Sequence, residues 1–254
     1  MQTKDYFLLI LILTVFLISC NKQNDTDHSY TLEEYQKLGM PDYDTVWKIE
    51  DYETAFFVLK TLKYGKPLDL PVKDSEKSGL LFSRMVNIEN LSFLEDDSLP
   101  LHQKAQLIKW YFDIYPGLMD VYTSITMEQQ YYIRELVEID IFAVRISQEM
   151  LDLGNKINAS DDPEDVDMQS DYPSIQKMYL DILSGLLAKQ QHTSQYPQQT
   201  LELFSESLSS SVRRNMHWFD EDASERIKQA LLTVIDSTSS RKLINDYTEL
   251  IESL

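Results

Sequence analysis

Residues 126–154 read TMEQQYYIRELVEIDIFAVRISQEMLDLG, and this stretch decides the fold. Tyr132, Leu136, Ile139, Phe142, Ala143, Ile146, Met150 and Leu153 recur at three- and four-residue spacing, which is the period of a helix. Thr126 and Gln129 fit a capping box at its start, and Gly154 is the expected stop. Apolar residues occupy much of the girth, so the spacing predicts a central helix buried on more than one side.

The flanking sequence has the same texture. Upstream, Leu32–Leu38 predicts a short helix closed by Gly39 and Pro41. Glu50–Tyr64 places Tyr52, Ala55, Phe56, Leu59 and Leu62 at helical spacing, and Leu80–Val86 predicts a third helix. Pro100 suits the first turn of another, expected to run to about Tyr115 and to break at Pro116-Gly117. Downstream, Pro173 and Pro197 open helices to about Lys189 and Asn215. Asp222 with Glu225, and Ser240, mark the starts of the last two. The expected fold is all-α, a single irregular helical bundle of seven to nine helices over residues 31–254, with an acidic internal loop at about 155–172. No repeat at solenoid periods is present.

The N-terminus has a different texture. Tyr6–Cys20 is uncharged and rich in Leu, Ile, Val and Phe, but short for a spanning helix, which needs roughly 20 apolar residues. Preceded by Lys4, it reads as the apolar region of a secretory signal. Its end, Leu17-Ile18-Ser19-Cys20, resembles a bacterial lipobox. The resemblance implies removal of residues 1–19, diacylglycerol on the Cys20 thiol, and acylation of the new amino group. Residues 20–30 then form a lipidated cysteine and a polar, flexible tether. Asn21 is not the aspartate of one inner-membrane retention signal. The expected location is the cell envelope, the outer membrane in a host with two.

A net charge of −19 opposes binding to nucleic acid and favours a basic protein partner. It also opposes anionic lipid, so the membrane is expected to be held through Cys20 alone. Cys20 is the only cysteine, so the mature domain has no disulfide, thiolate nucleophile or cysteine metal site. The six glycines are too dispersed for a P-loop, a dinucleotide fingerprint or a nucleophile elbow. None of His28, His102, His192 and His217 follows a glutamate by three positions, so the di-iron helix motif is absent. The run Ser160–Asp167 lacks the glycine and terminal glutamate of a calcium loop and is expected to be a solvated loop. Glu135 and Glu138 share a helix face, expected to be a solvated stripe. No catalytic, cofactor or metal constellation follows from the sequence.

The remaining candidates are surface residues. Tyr43, Trp47, Trp110 and Tyr131 fit a protein interface, where aromatic side chains are enriched. Arg213, Arg214, His217 and Trp218 form the densest mix of charge, imidazole and indole, and their structural reading is helix capping. The leading expectation is a non-enzymatic, membrane-anchored interaction module. Its alternatives are a small-molecule or glycan-binding lipoprotein, and a hydrolase with a non-local Ser–His–Asp site.

Overall fold

The computed structural model describes residues 30–65, 69–123, 132–191 and 196–254. They form nine helices longer than one turn and no strand: α1 (Leu32–Lys37), α2 (Ile49–Gly65), α3 (Gly79–Met85), α4 (Leu101–Tyr122), α5 (Ile133–Asn158), α6 (Tyr172–Gln190), α7 (Gln198–Asn215), α8 (Glu221–Ser237) and α9 (Arg241–Ser253). The expected all-α bundle is what these residues build. No helix among them is long and apolar enough to cross a membrane. Cys20, Tyr131 and the Thr126–Gln129 cap lie outside the described residues.

The 26-residue α5 is the axle, packed most extensively on α4 and α6 and then on α7. Its apolar residues divide between two cores. Ile139, Phe142, Ile146, Met150, Leu153 and Ile157 face a core shared with α1–α4. Val137, Ile141, Val144 and Leu151 face a second core shared with α6–α9. Each buried side chain of this size contributes roughly 1.5–3 kcal/mol relative to exposure, so an axle feeding both cores couples them.

Three local expectations are corrected. First, α4 runs unbroken through Pro116-Gly117. Pro116 faces solvent, while Ile114, Leu118, Val121 and Tyr122 are buried on the opposite side. Gly117 admits the Phe56 ring of α2, since a Cβ there would lie 2.9 Å from Phe56 Cζ. A proline inside a helix costs about 3 kcal/mol, which packing on this scale offsets. Second, α5 passes Gly154 and ends at Asn158. A Cβ at Gly154 would meet Tyr172 Cδ2 at 3.0 Å, so this glycine allows close approach of α6 rather than stopping a helix. Third, the connection expected at 155–172 starts only after Asn158 and, though mostly exposed, is partly helical. It contains the one-turn helix Pro163–Val166 and a 3₁₀ turn at Gln169–Asp171.

The caps follow local chemistry. Thr31 and Glu34 make a reciprocal capping box on α1. Asp220 caps α8 by accepting from Ala223 N at 2.8 Å, and Ser240 caps α9. The cap of α4 comes from elsewhere in the chain. Its N-cap, Pro100, has no side-chain acceptor, and Asp165 Oδ1 takes the His102 amide at 3.1 Å instead.

Candidate functional site

Where α4, α5 and α6 meet, close to the seam of the two cores, a groove of about 420 Å³ opens to solvent. Ile108, Met150, Leu153 and Ile157 make its floor, and Phe112, Met168, Tyr172, Ile175 and Met178 its walls. Lys109, Asp113 and Asp171 mark the rim. Three methionines among these residues supply flexible, polarisable contacts that adapt to irregular apolar guests.

The acidic segment leads into the groove, where its last residues supply Met168 and Asp171. Asp161, Asp162, Glu164, Asp165, Asp167 and Asp171 fall in a stretch with no Lys or Arg. Asp165 is buried and ties the segment to α4, its Oδ2 accepting from Ser160 Oγ at 2.7 Å. His102 Nε2 lies 3.0 Å from Glu164 Oε2. Gln169 Nε2 donates to the carbonyls of Ile157 and Ser160 at the end of α5. These contacts hold an array of carboxylates, mostly exposed, beside an apolar floor. The Ser160 hydroxyl donates to a carboxylate and not to the nearby imidazole, so this Ser–Asp–His set lacks the serine–base contact that activates a nucleophile. No group of three or more metal-ligating side chains with metal-site geometry occurs among the described residues.

Against the expectation of a solvated stripe, Glu135 is buried and Glu138 partly buried on α5. Glu135 is 3% exposed and accepts from Lys73 N at 2.8 Å, while Glu138 sits near Arg134. Asp140 is 2% exposed, and both its oxygens take Lys189 Nζ, at 2.8 and 2.9 Å. Tyr115 Oη adds a third bond to Asp140 Oδ1. Burial raises both carboxyl pKa values, for Glu135 against the bond from Lys73 and for Asp140 against the pull of Lys189. Glu135 ties α5 to the loop before α3, and Asp140 ties it to α4 and α6.

The surface candidates are dispersed. Trp47 is corrected outright: it is 0% exposed, its Nε1 donates to Asp42 O, and its amide donates to Asn90 Oδ1. Tyr43 is half-buried, with its carbonyl accepting from Arg84 Nε. Trp110 is half-buried and packs edge-on against Tyr52 and Tyr111. At the far end, Arg214 pairs with Glu149 and Asp152 of α5, and Arg213 with Glu249 of α9. His217 Nδ1 meets Arg214 O at 3.1 Å, and Trp218 packs between Tyr179 and Phe219. The arginines are thus engaged in joining α7 to its neighbours, and the four residues do not converge on a cavity.

Sequence reasoning missed the groove. Its lining comes from separated segments, each reading as ordinary core, and only the cation-free acidic run signalled anything locally. No family model matches the chain, and neither a curated protein nor a solved structure shows significant similarity to it.

Proposed function

We propose that this chain is a lipid-anchored cell-envelope protein without catalytic activity, whose groove holds a basic, amphipathic segment of a partner protein. The observation that carries the reading is the pairing of an apolar groove, rimmed by Asp113, Asp171 and Lys109, with an adjoining acidic segment that holds no Lys or Arg. An amphipathic helix lays its apolar face into such a groove, and its basic face meets the carboxylates. The net charge of −19 adds long-range attraction for the same partner. The anchor rests on Leu17-Ile18-Ser19-Cys20, and in a host with two membranes the outer one is its destination.

A second reading has its own support, because about 420 Å³ falls within the size range of small-molecule sites. Native mass spectrometry of the chain released gently from its membrane separates the two. The partner reading expects a co-purifying basic protein, lost in the Ala105→Trp chain, whose indole fills the groove, and lost at high salt. A small apolar adduct, lost in the same variant but indifferent to salt, would favour the second. Retention of either mass by the Ala105→Trp chain would remove the groove from the account. Cys20→Ser is expected to abolish palmitate incorporation while leaving the helical content unchanged.

A further inference from the structure

We propose that the end of the bundle where the tether joins the domain is a second membrane contact, with Phe57, Tyr64 and Leu80 seated in the interfacial layer of a lipid bilayer. The proposal rests on the anchoring of Cys20.

The three side chains are 78%, 75% and 63% exposed, the most exposed large apolar residues among those described. Phe57 and Tyr64 are two turns apart on one face of α2, with exposed Lys60 and Thr61 between them. Nothing in the fold needs an aromatic there, because Tyr52, Ala55, Leu59 and Leu62 already supply the buried face. Aromatic rings flanked by a lysine suit the headgroup region, where the ring is buried and the ammonium reaches water or phosphate.

The position of this face is what points to lipid. The tether reaches the domain at Tyr30, whose ring meets Tyr35 edge-on at 5.7 Å. Tyr35 Oη donates to Asp69 O at 2.7 Å, which places α1 against the chain just beyond the end of α2. Glu34 of α1, its carboxyl held low chiefly by its bonds to Thr31, also feels the charge of Lys77. So the tether junction, the C-terminal end of α2 with Tyr64 and the start of α3 with Leu80 gather at one end, and Phe57 lies two turns back along α2 on the face of Tyr64. Ten residues, Cys20 to Ser29, separate the anchor from Tyr30, so even fully extended they reach at most about 33–36 Å. An anchor on that leash presents the bilayer to this end at high effective concentration.

Charge agrees with the placement. Residues 60–84 carry Lys60, Lys63, Lys66, Lys73, Lys77 and Arg84 against Asp69, Asp74 and Glu76. Some of these cations pair within the fold, as Lys63 does with Asp120 and Arg84 with Glu89, and Lys60 is exposed between Phe57 and Tyr64. This stretch offsets part of the repulsion expected from the net charge, set against the exposed carboxylates Glu33, Glu34 and Glu53.

The test couples the mature chain through Cys20 to a maleimide phospholipid in vesicles containing brominated lipid, so it does not depend on acylation in the cell. Phe57→Trp and Tyr64→Trp are compared with Leu232→Trp on α8. The proposal expects bromine to quench the added emission at 57 and 64 at least twofold, and to leave that at 232 unchanged. Equal quenching at all three positions, or none at 57 and 64, would overturn it. The mass of the Cys20 peptide from the native membrane reports separately on the anchor. An acylated peptide with no quenching at 57 and 64 would reject this contact alone; an unmodified peptide would reject the anchor.

Discussion

The core ahead of α5 is built on rings: Tyr35, Trp47, Tyr52, Phe82, Tyr111 and Tyr122 are all buried there. The core beyond α5 is mostly aliphatic, with Leu183, Leu186, Leu187, Leu201, Leu208, Leu231, Leu243 and Leu250. The first core must order short helices and long irregular connections, and its tyrosines serve as both filler and tie. Tyr35 donates to Asp69 O, Tyr52 to Met85 O, Tyr111 to Trp47 O and Tyr122 to Pro71 O, each within 2.9 Å. The second core packs regular helices whose backbones satisfy themselves. Tyr179 donates to Ser211 O at 3.0 Å but also meets the side chains of Ser211 and Asn215, and Tyr247 meets Gln190, so side-chain partners predominate there. Where local hydrogen-bond ladders are missing, the buried carbonyls are satisfied by hydroxyls carried on large rings.

That contrast can be broken experimentally. The largest effect is expected in the aliphatic core, where Phe204→Ala should cost about 3–5 kcal/mol in denaturant unfolding. Because α5 feeds both cores, fluorescence, to which Trp47 in the other core contributes, and helical circular dichroism should still report one transition. Two separated transitions would show that the cores unfold independently. Next comes the hub of the ring core. Asn90 accepts from Trp47 N and donates to Tyr52 Oη and Arg84 O. Asn90→Ala strands several buried groups and is expected to cost roughly 2–4 kcal/mol. Tyr122→Phe leaves the Pro71 carbonyl without its donor, for about 1–3 kcal/mol, whereas Tyr247→Phe in the aliphatic core should cost less. If the two tyrosine variants cost the same, the distinction between backbone ties and side-chain pairs fails.

The smallest effect is one of pH. Glu135 has a raised pKa, so over the window from the ordinary glutamate range up to that raised value the folded chain binds more protons than the unfolded one. Stability contributed by this group is present below the window and lost as pH rises through it. Glu135→Gln keeps the acceptor for the Lys73 amide and is expected to flatten that slope in pH-dependent melting. An unchanged slope would assign the titration elsewhere.

Much of the fold was legible because helical period and punctuation are local properties. Pro173 and Pro197 mark the starts of α6 and α7, and Ser240 caps α9 as its place in the sequence implied. What was illegible is tertiary. Pro116 reads as a break until the packing around α4 is known, and Gly154 reads as a stop until Tyr172 is seen against it. Trp47, in a short polar segment, reads as surface, although its contacts lie 43 and 64 residues away, at Asn90 and Tyr111. Burial of Glu135 and Asp140 depends on Lys73 and Lys189, which no spacing on α5 announces. The groove was invisible for the same reason, since its apolar lining has the pattern of an ordinary helical core. Only the acidic run beside it was exceptional in the sequence, and its order comes from Asp165 capping a helix 63 residues earlier.

Occupancy of that groove by a partner's basic, amphipathic segment is tested most directly by a photoreactive benzophenone side chain at Ser174, on the groove wall, in the anchored chain on intact cells. Thr233, exposed on α8, is the control position. The expected result is one basic protein cross-linked from 174 and not from 233, through an apolar stretch of its own sequence, with at least a tenfold loss in the Ala105→Trp chain or at high salt. The same adducts from both positions, or an adduct from 174 that survives Ala105→Trp, would contradict it.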